Sequence, residues 1–353
     1  MATLRYCSSL IAVLVWLLSF AVTRCNAAPR SSFRELRFSP DGQYVLAQDN
    51  FEITVLTVKP LLVSFRIPAA NVAIATFTPD SQEIAFVRRP LRSPSANGSL
   101  VKTPSYVERW NLKGGRLSTS SRLPTFDCGT EELSPDGEHV VCVDYSGTLR
   151  ILDVASGDVE FQRKGFVKPY LFDDIDPGRG PRPMDLEFAQ TSFSPDGNFV
   201  VVSAHGGTLL WDLRQKLTLT LPGELRGLRN HTTLHFAFLP GNRFLITHAW
   251  GRKPGFWKAK IVAFPSGTPL SEVRVPLGLI FRATYPGFIL VRPFGLRQQG
   301  AAVANLSTEE VIVNDGALDV FGDHYIAETV NGKTIALYAF GKRLEASVTI
   351  HPD

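Results

Sequence analysis

The residues in this chain with chemistry to offer are four neighbouring histidines, two cysteines, a short acidic run and two groups of basic side chains. His205, His231, His235 and His248 carry imidazoles of the kind that ligate Zn²⁺ or Cu²⁺. The His231–His235 spacing brings two ligands together on a helix. On a strand the pair points to one side but stands ~13 Å apart. Separate surface and core histidines are therefore expected, no metal is assigned, and His205, His231 and His248 remain weak candidates. Asp173-Asp174-Ile175-Asp176 is the nearest approach to a Ca²⁺ loop, but it lacks the glycine and the final glutamate, so it reads as a solvated acidic loop. Nucleophile elbow, P-loop, His-Glu-x-x-His and Cys-x-x-Cys patterns are missing, as are haem or quinone attachment residues, so no cofactor and no catalytic residue is assigned.

The basic residues are grouped. Arg88, Arg89, Arg92 and Lys102 fall between 88 and 106 with no acidic residue among them, and Arg252, Lys253 and Lys258 fall between 250 and 258. Such groups attract anionic partners; the alternative is a solvated basic rim without a ligand. Asn97, Asn230 and Asn305 open glycosylation sequons, which matter only in a eukaryotic secretory pathway.

The N-terminus predicts export. Arg5 precedes an uncharged run of 13 residues from Leu10 to Val22, which suits a signal peptide and is short for a bilayer span of ~20 residues. Cleavage after Ala27 places Cys25 and Ala27 at the small-residue positions, which makes residues 1–27 the leader and 28–353 the mature chain. The alternative is an uncleaved anchor that tethers the protein to a membrane; lipidation of Cys25 fits poorly beside Arg24. No later stretch is long and apolar enough to span. A secreted or periplasmic location follows, and the leader takes Cys7 and Cys25 with it. Cys128 and Cys142 remain on either side of a turn. On antiparallel strands they stand nearly opposite, at a Cβ separation slightly too long for a disulfide without local adjustment. A bond suits an oxidising compartment; two small buried thiols are the alternative.

The elements that position these residues announce themselves by their turns. Ser39-Pro40-Asp41-Gly42 recurs as Ser134-Pro135-Asp136-Gly137 and Ser194-Pro195-Asp196-Gly197, with a weaker copy at Thr78-Pro79-Asp80-Ser81. This is type I turn chemistry, with proline pre-setting φ and glycine at the fourth position. An apolar residue precedes each turn, and a run such as Tyr44-Val45-Leu46-Ala47 or Phe199-Val200-Val201-Val202 follows. Degenerate copies at Leu239-Pro240-Gly241, Tyr285-Pro286-Gly287 and Phe321-Gly322-Asp323 complete the series. Turns therefore start near 39, 78, 134, 194, 239, 285 and 321, with a period that indicates a propeller or solenoid. A second turn and strand repeat inside each unit, at Asp144 to Asp153, His205 to Asp212 and Asn331 to Leu337. Four strands in each of seven units predict an all-β chain forming a single seven-bladed β-propeller of antiparallel blades. With 44% apolar and 20% charged residues, 28 Gly and 24 Pro, the composition fits a turn-rich globular protein.

The run Asp144 to Asp153 and the pair Trp211-Asp212 resemble the WD-repeat family, and the Ser-Pro-Asp-Gly turns are similar to TolB-type propeller repeats. The resemblance spans about Phe33 to Ile350. It implies fold, not function. The Gly-His pair that opens a WD blade is missing, with only His231 near such a position.

In such a ring the first-to-second and third-to-fourth connections share one face, and here they are short. The second-to-third and blade-to-blade connections share the other face. They hold every expansion: Arg88 to Tyr106, Gln162 to Glu187, Pro222 to Thr233 and Trp250 to Lys258. These four loops carry a net +8 and the leader +2; the whole chain carries +4, which leaves −6 on the body. A basic loop face on an acidic body predicts a non-catalytic scaffold that binds a protein or an anionic polymer or surface. Nucleic acid is not expected without a reader motif. The alternative is a propeller enzyme (a hydrolase, lyase or oxidoreductase) with its site at the channel mouth. The first unit supplies its own inner strand and the last its own outer strand, so the ring is expected to close by side-chain packing.

Overall fold

The computed structural model describes residues 33–350 apart from 71, 74, 90–103, 127, 145, 168–189, 205–206, 220–234, 240, 242, 248–255, 277, 284–286, 294–300, 309, 315, 329–333 and 341–342. The proposed leader, residues 1–27, lies outside that range. All the regular structure described is strand, in seven four-stranded antiparallel sheets.

Each sheet is one contiguous stretch of chain. Blade one is β1 (Glu35–Phe38), β2 (Tyr44–Gln48), β3 (Glu52–Thr57) and β4 (Leu62–Pro68). Blade two is β5 (Thr76–Phe77), β6 (Glu83–Arg88), β7 (Tyr106–Asn111) and β8 (Arg116–Arg122). Blade three is β9 (Cys128–Leu133), β10 (His139–Asp144), β11 (Leu149–Asp153) and β12 (Val159–Arg163). Blade four is β13 (Gln190–Phe193), β14 (Phe199–Ala204), β15 (Gly207–Asp212) and β16 (Leu217–Leu219). Blade five is β17 (His235–Leu239), β18 (Arg243–Thr247), β19 (Phe256–Ala263) and β20 (Pro269–Pro276). Blade six is β21 (Gly278–Ala283), β22 (Phe288–Pro293), β23 (Ala301–Asn305) and β24 (Val311–Asn314). Blade seven is β25 (Leu318–Phe321), β26 (His324–Glu328), β27 (Thr334–Ala339) and β28 (Arg343–Thr349).

Burial follows from stacking sheets face to face. The second strands are apolar on both sides and bury both sides, as β6, β10 and β14 do along nearly their whole length. Outer strands such as β8 are mostly exposed and correspondingly polar. The core is seven separate clusters, one in each seam between neighbouring blades. Seven seams for seven blades means a closed ring. First strands neighbour one another around it, β13 beside β17, β17 beside β21 and β25 beside β1, so they form its inner wall.

The repeated turn is locked by side chains. Ser39 Oγ donates to Asp41 Oδ1 at 2.6 Å and accepts from the Tyr44 amide at 2.9 Å, while Asp41 Oδ1 also accepts from the Gln43 amide. Thr78–Asp80 and Ser194–Asp196 repeat the lock at 2.6 Å. Gly42 sits at φ +70°.

No strand is exchanged at the closing seam. Phe33, Leu36 and Phe38 pack with Ala317, Ile326 and Leu337, and the Phe38 amide donates to Asp319 Oδ2 at 2.7 Å. Phe321 reaches across from blade seven and lies where a Cβ on Gly42 would be.

Candidate functional site

The strand bounds place the loop expansions on one face. Residues 89–105 join β6 to β7, 164–189 join β12 to β13, 220–234 join β16 to β17 and 248–255 join β18 to β19. Two expected loop boundaries shift. Gln162 and Arg163 still belong to β12, and β19 begins at Phe256, so Lys258 is an exposed strand residue opposite Arg274 rather than part of a loop. Strand pairing extends that far because Trp257-Lys258-Ala259 continues an unbroken ladder with β20.

Arg88 and Arg89 stand at the start of the β6–β7 connection, and both hold carboxylates. Arg88 closes β6 with Nε 2.5 Å from Glu108 Oε1 and Nη2 3.0 Å from Oε2, and Nη2 also donates to the Pro68 carbonyl at 3.0 Å. Trp110 Nε1 donates to Glu108 Oε2 at 3.0 Å. Burial alone would push the Glu108 carboxyl up; the Arg88 and Trp110 hydrogen bonds and the guanidinium charge outweigh it and hold it below its ordinary value. Arg89 crosses to blade three, its Nε 2.6 Å from Glu131 Oε2, on a side chain only 2% exposed. Both arginines are thereby fixed at the end of β6. Arg92, Lys102, Arg252 and Lys253 lie outside the described residues, as do His205, His231, His248 and the run 173–176; His235 opens β17.

On the inner wall, side chains reach from one blade to the next. Arg37 Nη1 donates to Thr76 Oγ1 at 2.9 Å, Gln190 Nε2 donates to the Phe236 carbonyl at 2.7 Å, and Ser192 Oγ accepts the Phe238 amide at 3.3 Å. Glu132 holds the corresponding place on β9. It keeps some accessible surface, yet protein encloses its carboxyl so fully that desolvation raises its pKa to about 8, against the pull of the Arg37 charge.

Cys128 and Cys142 form a disulfide with Cα atoms 5.4 Å apart. The local adjustment is a register shift between Val143 and Asp144, which slides Cys128 opposite Asp144. The bond is suited to an oxidising environment. No helix among the described residues is long and apolar enough to cross a membrane.

One cluster escaped the sequence reading. His139 on β10, Asp153 on β11 and Glu160 on β12 bring one ligand atom each within 4.8 Å of one another. His139 and Asp153 are cross-strand partners, a pairing readable once the turns are aligned. Glu160 was not readable, because a register shift between Ile151 and Leu152 is what admits it. Its Oε1 is 2.7 Å from Lys216 Nζ, on the turn before β16. At Asp153, burial pushes the carboxyl up, but Ser156 donors and the nearby His139 outweigh it and hold it low.

Fold and inner wall together define the class: a seven-bladed β-propeller closed without strand exchange. No family model and no curated protein matches the chain. Trp211 packs on Phe161 with ring centroids 4.6 Å apart, and among the described residues its Nε1 has no hydrogen-bond partner. Asp212 accepts the Gln215 amide in the following turn. The Trp-Asp pair thus serves seam packing and turn capping.

Proposed function

We propose that the chain is an exported, non-catalytic binding scaffold that takes an anionic protein or polymer on its long-loop face. The observation that carries this reading is the asymmetry of the ring. One face has only connections of two to five residues, four of them locked by a Ser–Asp or Thr–Asp pair, while the other holds the segments 89–105, 164–189, 220–234 and 248–255. Loops of free length on a rigid scaffold are where binding residues collect. Because Arg88 and Arg89 are committed to Glu108 and Glu131, the charge offered to a partner comes from Arg92, Lys102, Arg252 and Lys253. The disulfide supports delivery outside the cytoplasm behind the leader 1–27.

A sulfated polysaccharide column tests the reading. Alanine at Arg92, Lys102, Arg252 and Lys253 together should weaken binding about tenfold or more near ~0.15 M salt and flatten its salt dependence. Alanine at Lys113, Arg116 and Arg214, exposed on the short-turn face, should leave it unchanged. Equal losses from both sets, or salt-insensitive binding, would overturn the proposal.

A further inference from the structure

We propose that His139, Asp153 and Glu160 form a binding site for a divalent cation of the zinc class on the short-turn face of blade three, with Lys216 of blade four as its gate. This site is independent of the long-loop face and lies on the opposite side of the ring.

The three residues come from adjacent strands at one end of the sheet. His139 opens β10 just after the connection 134–138, and Asp153 closes β11 just before the next. As cross-strand partners they share the side of the sheet that bears Val141 and Ile151, both packed in the seam with blade four. The bulge supplies the third ligand. Ile151 pairs with Phe161 and Leu152 with Val159, so Glu160 is the extra residue. Phe161 packs on Trp211 of blade four while its neighbour Glu160 meets Lys216 of the same blade. Two consecutive side chains therefore face one way, which a regular strand forbids.

The carboxylate is unusual for a structural ion pair. The Glu160 side chain is only 5% exposed, and its Oε2, buried, accepts no hydrogen bond. Its nearest cationic candidate on that side is His139 Nε2 at 3.6 Å. That gap is too long for a hydrogen bond. It is close to the ~3.4 Å that separates two ligand atoms held ~2.1 Å from one tetrahedral ion. A buried anionic oxygen aimed at an imidazole nitrogen, with an aspartate alongside, is a mixed nitrogen–oxygen donor set. It suits Zn²⁺ better than Ca²⁺ or Mg²⁺, and three protein ligands leave a position for water or an external ligand.

Lys216 supplies the compensating charge. Its ammonium lies 2.7 Å from Glu160 Oε1, yet its side chain is 63% exposed. A long, solvated stem swings away at little cost, whereas Glu160 is fixed by the bulge. Cation binding and the Lys216 contact compete for one carboxylate.

Zinc titration of the purified chain by calorimetry, with bound metal counted after dialysis, decides the matter. One zinc per chain is expected. His139→Asn and Glu160→Gln should each weaken binding at least tenfold, His231→Asn should not, and Lys216→Met should tighten it severalfold. Near-UV circular dichroism establishes that each variant is folded, and the gain in Lys216→Met does not depend on ligand variants folding. Absence of zinc binding, wild-type affinity in the folded ligand variants, or weaker binding in Lys216→Met would overturn the proposal.

Discussion

Glu132 shows how one enclosed carboxyl sets a pH dependence. Its pKa stands near 8 in the folded chain because burial disfavours the charge; unfolded, it titrates in the ordinary glutamate range. Between about pH 4.5 and pH 8 the folded chain holds a proton that the unfolded chain has released. Stability attributable to this group therefore falls as pH rises through that window. Glu132→Gln keeps the shape and removes the proton, so its melting temperature should exceed that of the parent at pH 8 and approach it at pH 4.5. Equal melting at both pH values would refute the assignment. Gly42 is the second residue with a sharp expectation. It combines φ +70° with the Phe321 ring seated on its α-carbon, so Gly42→Ala should cost roughly 1–3 kcal/mol in denaturant unfolding.

At the scale of elements, blade three is fastened both within itself and to its neighbour. The Cys128–Cys142 bond closes a separation of 14 residues across β9 and β10, a loop for which chain-entropy models give about 3 kcal/mol. Replacing both cysteines by alanine should lower stability by roughly that amount, read as a lower denaturation midpoint, with an m-value that rises as the freed denatured chain expands. Arg89 and Arg109 add attachments from blade two, to Glu131 and to the Asp136 carbonyl. The turn pattern Ser-Pro-Asp-Gly was legible from the sequence because its hydrogen bonds are local: the hydroxyl, the carboxylate and the amides they serve lie within five residues. Strand ends were less legible. The extent of β19 depends on how far β20 can follow it, which a loop boundary drawn at Lys258 misses.

For the whole molecule, the ring has six seams crossed by the chain and one that is not. Among the described residues, blades seven and one meet through side-chain packing and contacts such as Phe38 to Asp319. Asp319 is 2% exposed, so truncating it strands a buried amide. Hydrogen exchange in mild denaturant should release β1–β4 and β25–β28 before β9–β16, and Asp319→Ala should widen that difference. Earlier opening of the seam between blades three and four would show that the closing seam is not the weak one.

Seven blades, their four-strand composition, the unswapped closure and the cysteine pairing all followed from the sequence, because each is written in short-range turn chemistry repeated along the chain. What only the tertiary structure decided is which side chains meet across strands and across blades. Arg88 and Arg89 read as free positive charge until Glu108, from a neighbouring strand, and Glu131, from a neighbouring blade, were seen beneath them. Nothing in the sequence singles out Glu132; its enclosure comes only with the closed ring. The His139–Asp153–Glu160 cluster needed a bulge to turn one side chain toward Lys216. Periodicity specifies which way a regular strand points its residues; it carries no record of which charges meet once separate sheets are stacked, because that depends on distances set by packing.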